Sequence, residues 1–213
     1  MKRRYKIAGG ILVFLFLFFS AVAVSISYTA DCPSTSEAAS GSTMKAVVYR
    51  CYGGPEVLEY ADIPIPVPAE HEVLVKVHAA GVNPLDWHFM RGSPFVMRLM
   101  TGIGAPKDAS LGRDFAGVVE AVGEKVTRFE AGDRVFGGAN GAFAEYVVRG
   151  ETGSIALMPT NASFEDAAAV PVAAITALQA LRDSGQLQAG QKVLINGASG
   201  GVGTYAVQIA RSM

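Results

Sequence analysis

Residues 196–203 read NGASGGVG, four glycines in eight positions. Before them, KVLIN (192–196) is a compact apolar run that predicts a strand. After them, TYAVQIARSM predicts a helix with Ala206, Ile209 and Ala210 on one face. A strand, a glycine turn and a helix in succession form the context in which a G-x-G-x-x-G turn holds a dinucleotide. Ala198, Gly200 and Gly203 fill the three positions, with Ala in the first. Gly200 lets backbone approach a pyrophosphate, and Gly203 lets helix and strand pack closely. Amides at the helix start face the anion. On this motif alone, a tight turn with no ligand is an equal reading.

The rest of the chain bounds what that turn serves. At 213 residues it is long enough for one large domain, or for one domain and part of another. Half the residues are hydrophobic and 17% are charged, which supports a packed core and argues against wholesale disorder. A formal net charge of −1 gives no electrostatic footprint for nucleic acid, and none is expected as a partner. Two cysteines, Cys32 and Cys51, exclude a four-cysteine zinc site. One bridge between them suits an oxidising compartment, but the spacing does not demand it.

Residues 1–30 stand apart. Lys2, Arg3, Arg4 and Lys6 precede a run from Ile7 to Ala30 without a charge. The length favours an uncleaved single-pass membrane anchor; a secretory signal cut near Ser25 or Ser27 is the rival. Either way the basic end stays in the cytoplasm, and the domain after the run faces outward or into an organelle lumen. A start at Met44 instead leaves the protein cytoplasmic. Residues 31–43 (DCPSTSEAASGST) read as a flexible linker.

From Met44 short strands and glycine corners alternate. MKAVVY (44–49), EVLVKVHAAGVN (72–83), FAGVVEAVG (115–123), DRVFGG (133–138) and FAEYVV (143–148) predict strands of a small, partly open barrel. Val73, Val75, Val77 and Ala79 share one face of the second. IPIPVP (63–68) fits neither a helix nor a central strand. Near Ser163 the texture turns helical. Ser163 and Asp166 form a capping-box pattern, Pro171 interrupts, and a longer helix is expected from Val172 to Asp183, stopped by Gly185.

Six stretches then fall in one order: MKAVVY, AAGVNPLDWHFMRG (79–92), LGRDFAGVVEAVG (111–123), GDRVFG (132–137), PVAAITALQAL (171–181) and GQKVLINGASGGVGTYAVQIA (190–210). Together they resemble the medium-chain dehydrogenase/reductase superfamily, in its zinc-independent quinone oxidoreductase (zeta-crystallin-like) branch. The resemblance implies an α/β chain: a GroES-like β-barrel catalytic domain, residues 44–165, then the start of a Rossmann domain, residues 166–213. It implies NADPH, less often NADH, as cofactor, a quinone or activated enone as hydride acceptor, and a homodimer when full length. The alternatives are a non-catalytic crystallin-like nucleotide binder, an inactive fragment, or alcohol dehydrogenase-like or enoyl reductase activity without zinc. The acidic residue that reads the ribose is expected about 20 residues past the turn, beyond Met213. The chain is therefore expected to hold a whole dinucleotide poorly and to be inactive alone.

Metal-dependent relatives carry a Cys where this chain has Asn83 and a His where it has Arg113, so no metal is expected. The resemblance places Asn83, Asp86 and His88 as catalytic candidates on one loop, with Asn83 also beside the nicotinamide. Thr176, Ala198, Ser199, Gly200, Gly201, Val202 and Gly203 are the other cofactor-binding candidates. For Asn83 the competing reading is a turn residue before Pro84, and for Asp86 a carboxylate that holds backbone amides. Trp87 reads as core, with a place in the pocket lining as the other reading. Asp114 and Asp133 read as braces of the barrel.

Overall fold

The computed structural model describes residues 2–32 and 41–213, so most of the expected linker lies outside the described residues. The chain divides into two compact units. One gathers residues 1–37, 48–59 and 87–109; the other gathers 38–47, 60–86 and 110–213.

The first unit begins with helix α1 (Lys2–Ser27). The expected membrane span is not supported: among the described residues no helix is long and apolar enough to cross a membrane. Leu12, Phe14 and Phe16 are exposed on this helix. After it, Cys32 is disulfide-bonded to Cys51.

The second unit is built on an antiparallel sheet. Its strands are β3 (Glu72–Gly81), β4 (Asp114–Val122), β5 (Arg134–Gly138), β6 (Tyr146–Gly150) and β7 (Ile155–Leu157), in the order β6-β3-β4-β5-β7. Strands β1 (Thr43–Tyr49) and β2 (Leu58–Pro64) form a separate pair. The start of β1 bridges to the segment just before β6: Val47 N donates to Phe143 O and Glu145 N to Lys45 O. β2 stops at Pro64, where the proline-rich run begins and a ladder cannot continue.

Val73 and Val75 of β3 meet Phe115, Val119, Val135, Val147 and Ile155 in the main core. A register shift between Val77 and Ala79 re-aims β3. Ala79 then joins a second cluster with Ala116, Met158, Ala167 and Ala168. The small side chains of that cluster let helix α4 (Phe164–Ala168) lie close on the sheet. The capping box of α4 forms as its sequence predicts: Ser163 Oγ accepts from Asp166 N and Asp166 Oδ2 accepts from Ser163 N.

Helix α5 (Pro171–Leu178) starts with proline at its first position, where no amide is needed. It runs on as a π-helical turn, Gln179–Ser184, rather than as the regular helix expected to Asp183. The left-handed residue after it is Gln186 (φ 47°), not Gly185. Helix α6 (Gly201–Ser212) follows the glycine turn. Ala206, Ile209 and Ala210 pack with Ala177, Leu181 and Ile195, which is the face the spacing predicts. The strand expected at 192–196 does not form, and Leu194 is 95% exposed. A strand is stabilised by its ladder, and among the described residues no segment pairs with this one.

Glu151 pins the connection after β4. It accepts from Thr127 N at 2.9 Å and Arg128 N at 3.1 Å, and lies 3.4 Å from His71 Nδ1. The Thr127 amide leads the causes that hold its carboxyl below the ordinary 4.5. A depressed folded pKa gives stability above the unfolded value that is lost as pH falls through the folded one. Thermal melts should therefore show wild type above Glu151→Gln at neutral pH, with the gap closing on acidification below about 4.5.

Candidate functional site

Asn83, Pro84 and Asp86 together start helix α2 (Pro84–Arg91). Proline at the first position suits φ, and Asp86 Oδ2 accepts from Asn83 N at 2.8 Å. Asp86 thus holds a backbone amide, the competing reading of its role. It also retains an oxygen, Oδ1, that is buried and unpartnered among the described residues. Burial pushes its carboxyl up, against the Asn83 amide and the Arg113 charge that pull it down.

The Asn83 side chain is fixed from a distant strand. Its Nδ2 donates to Asp114 Oδ2 at 3.1 Å, which leaves the carbonyl oxygen as its remaining polar end. Asp114 is 1% exposed. It also accepts from Val172 N, at 3.1 Å on Oδ1 and 3.0 Å on Oδ2. That amide lies in the first turn of α5, whose own N-cap, Val170, offers no side-chain cap. One buried carboxylate therefore orients Asn83 and caps α5. Burial raises its pKa, although both hydrogen bonds favour the charged form.

The glycine turn is shaped for close approach. Gly197 adopts φ +71°, a left-handed conformation that favours glycine. A Cβ on Gly203 would collide with Gly197 O and with Ala198. Gly200 is the N-cap of α6 and supplies no side-chain cap, so the first-turn amides at 201–203 have no intrahelical acceptor. Such a terminus suits an anion.

A cleft of about 650 Å³ in the second unit joins these features. Asn83, Val172, Ala177 and Leu181 line it, together with Ile195 and the turn residues Gly197, Gly200, Gly201, Val202 and Gly203. Of the candidates, Asn83, Gly200, Gly201, Val202 and Gly203 are thereby brought together. Ala198 and Ser199 belong to the same turn but do not line the cleft. Thr176 is exposed on α5, and its Oγ1 donates to Val172 O at 2.6 Å. His88 belongs to the other unit and is not among the cleft's lining residues. Its Nδ1 lies 2.7 Å from Ser93 O, so Nδ1 carries the proton and donates. Trp87 is 44% exposed and is not core. Arg91 lies over its ring at 5.0 Å. Among the described residues no group of three or more His, Cys, Asp or Glu is placed to hold a metal.

Two participants escaped the motif reading. Gly197 sits next to the fingerprint position assigned to Ala198, and only its φ shows why it is glycine. Asp114 stands 31 residues from Asn83 and 58 from Val172, and no local pattern joins them.

The profile of the alcohol dehydrogenase GroES-like domain matches residues 69–179, about half of the chain. The chain belongs to this family. Within the medium-chain dehydrogenase/reductase superfamily, its curated relatives include quinone oxidoreductases. The human quinone oxidoreductase is 41% identical over 172 residues, covering 79% of this chain and 50% of that protein. The quinone oxidoreductase of Coxiella burnetii superposes with a TM-score of 0.72 at 35% identity, over 80% of this chain and 54% of the other. A mycobacterial relative complexed with NADPH superposes with a TM-score of 0.68 at 33% identity, over 79% and 49%. The chain spans about half the length of the relatives it matches.

Proposed function

We propose that the chain carries the catalytic barrel, and the glycine turn and following helix of the cofactor domain, of an oxidoreductase. In this reading NADPH passes a hydride to a quinone or an activated enone without a metal. The observation that carries it is the cleft shared by Asn83 and the uncapped start of α6. At Gly203 a Cβ would collide with Gly197 O and Ala198, so the glycine keeps the turn tight against the start of α6, whose amides 201–203 suit a pyrophosphate. Names of relatives supply the acceptor class and the NADPH complex of one neighbour supplies the cofactor.

When bound, the nicotinamide supplies the hydride; the protein supplies position and electrostatics. Asn83 presents a carbonyl acceptor suited to a carboxamide donor such as the nicotinamide's. Amides 201–203 take a phosphate. The Cys32–Cys51 disulfide supports a reading in which the barrel works in an oxidising compartment.

Reduced nicotinamide mononucleotide tests the site directly, because it carries only the nicotinamide half of the cofactor. Titration followed by nicotinamide fluorescence should show saturable binding, weakened about tenfold by Asn83→Ala through loss of one hydrogen bond. Oxidation of the bound nucleotide by a simple quinone completes the reading. Binding without oxidation favours the non-catalytic alternative, and absence of binding overturns the assignment of the cleft.

A further inference from the structure

Residues 27–32, from the last residue of α1 onward, lie outside the matched family domain, yet they are built into the fold of the first unit. Arg98, 3% exposed, spends its guanidinium on them. Its Nη1 donates to Tyr28 O at 2.7 Å, Thr29 Oγ1 at 2.9 Å and Ser27 O at 3.3 Å. Its other nitrogens donate to Gly92 O and Arg91 O at 3.0 and 3.3 Å. Its planar face lies 4.4 Å from the centre of the Tyr52 ring and 4.8 Å from that of Phe95. A desolvated cation must be fully paired, and here three of its five partners come from the segment after α1.

The same segment joins the stretch after Arg98, which opens the short helix α3 (Arg98–Thr101). Thr29 forms a parallel bridge with Gly104, and Ala30 N donates to Gly104 O at 2.9 Å. Gly104 is left-handed at φ +83°, and a side chain there would press on the Tyr28 ring. Beneath, Tyr52 Oη donates to Gly102 O at 2.8 Å and meets Thr101 Oγ1 at 2.7 Å. Next to Tyr52 sits Cys51, 2% exposed, bonded to the exposed Cys32 at the end of the segment.

We infer that the segment 27–32 is a strap over residues 92–104, locked by the Cys32–Cys51 disulfide and released by a dithiol reductant. Cys32 is the sulfur that solvent reaches. A thiolate of the reductant attacks it, the Cys32–Cys51 bond breaks, and Cys51 leaves as a thiolate that takes up a proton. The second thiol of the reductant then displaces Cys32 from the mixed disulfide. Two thiols are formed on the protein and one disulfide on the reductant, a two-electron exchange. With the lock open, the strap is held by Arg98 and the bridge to Gly104. It then passes to the low-stability end of the fold, and the amides it covers go with it.

The test reads thiols and amides together on the full chain. In the absence of reductant an alkylating reagent should add nothing to the intact mass; after dithiothreitol it should add two labels. Hydrogen exchange should then quicken about tenfold or more at Ala30 and Lys107, while Val119 in the sheet is unchanged. Cys32→Ser, at an exposed position that leaves folding intact, should show the fast exchange without reductant and no response to it. Labelling of either cysteine before reduction overturns the lock. So does unchanged exchange at Ala30 and Lys107 once both labels have been taken up.

Discussion

Replacing Asp114 with alanine is expected to destabilise the second unit by about 2–4 kcal/mol and to weaken binding of reduced nicotinamide mononucleotide about tenfold, as Asn83→Ala does. The carboxylate accepts from two elements that meet nowhere else in sequence, the Asn83 side chain and the Val172 amide. Alanine leaves a helix start without its cap and a carboxamide without its partner. Asp114→Asn separates the two roles. Its oxygen still accepts from Val172 N, but its amide then faces the amide of Asn83, donor against donor. Stability should recover part-way and binding should not. The exchanged pair Asn83→Asp with Asp114→Asn restores a donor and an acceptor between the two positions, so the contact itself can be tested.

The pH dependence has a sign. Burial raises the Asp114 carboxyl above its ordinary 3.8. The folded state therefore holds its proton more tightly than the unfolded one. The stability this contributes is complete below 3.8 and is lost as pH rises through the raised folded value. Wild type compared with Asp114→Asn in melts across that window should lose ground as pH increases. An advantage that grows with pH would contradict the burial argument.

Gly203→Val is the second large effect. The new side chain meets Gly197 O and Ala198, both backbone or fixed close to it, so the turn and not a flexible neighbour must move. Overpacking of this kind costs about 1–3 kcal/mol. The functional loss should exceed the stability loss, because moving the turn re-aims the amides at 201–203. Circular dichroism should retain the sheet signal, while binding of reduced nicotinamide mononucleotide disappears. Gly201→Ala is the control. A Cβ there meets nothing within 4 Å, and binding should persist.

Local pattern was legible where the interactions are local. The capping box at Ser163, the apolar face of α6 and most sheet strands arise from neighbours within a turn or a strand. Short β7 escaped because three residues carry too little alternation to be read. At 192–196 the pattern was that of a strand, and the reading failed for want of a partner. Apolar alternation states what a segment would bury; a ladder requires a second segment. The N-terminal run shows the same limit. Its lack of charge suggested a span, which no helix among the described residues supports.

By itself the sequence determined the kind of chain this is. Six ordered stretches and a glycine turn define the family, because glycines and capping residues are demanded by backbone geometry over a few positions. Only the tertiary structure decided which candidates share a cleft. It put Asn83 and the turn around one space and left Thr176 and His88 out of its lining. It also gave Asp114, read as a brace, its two partners. The reason is distance along the chain. A buried carboxylate is satisfied by whatever donors the fold brings to it, and here they come from 31 and 58 residues away.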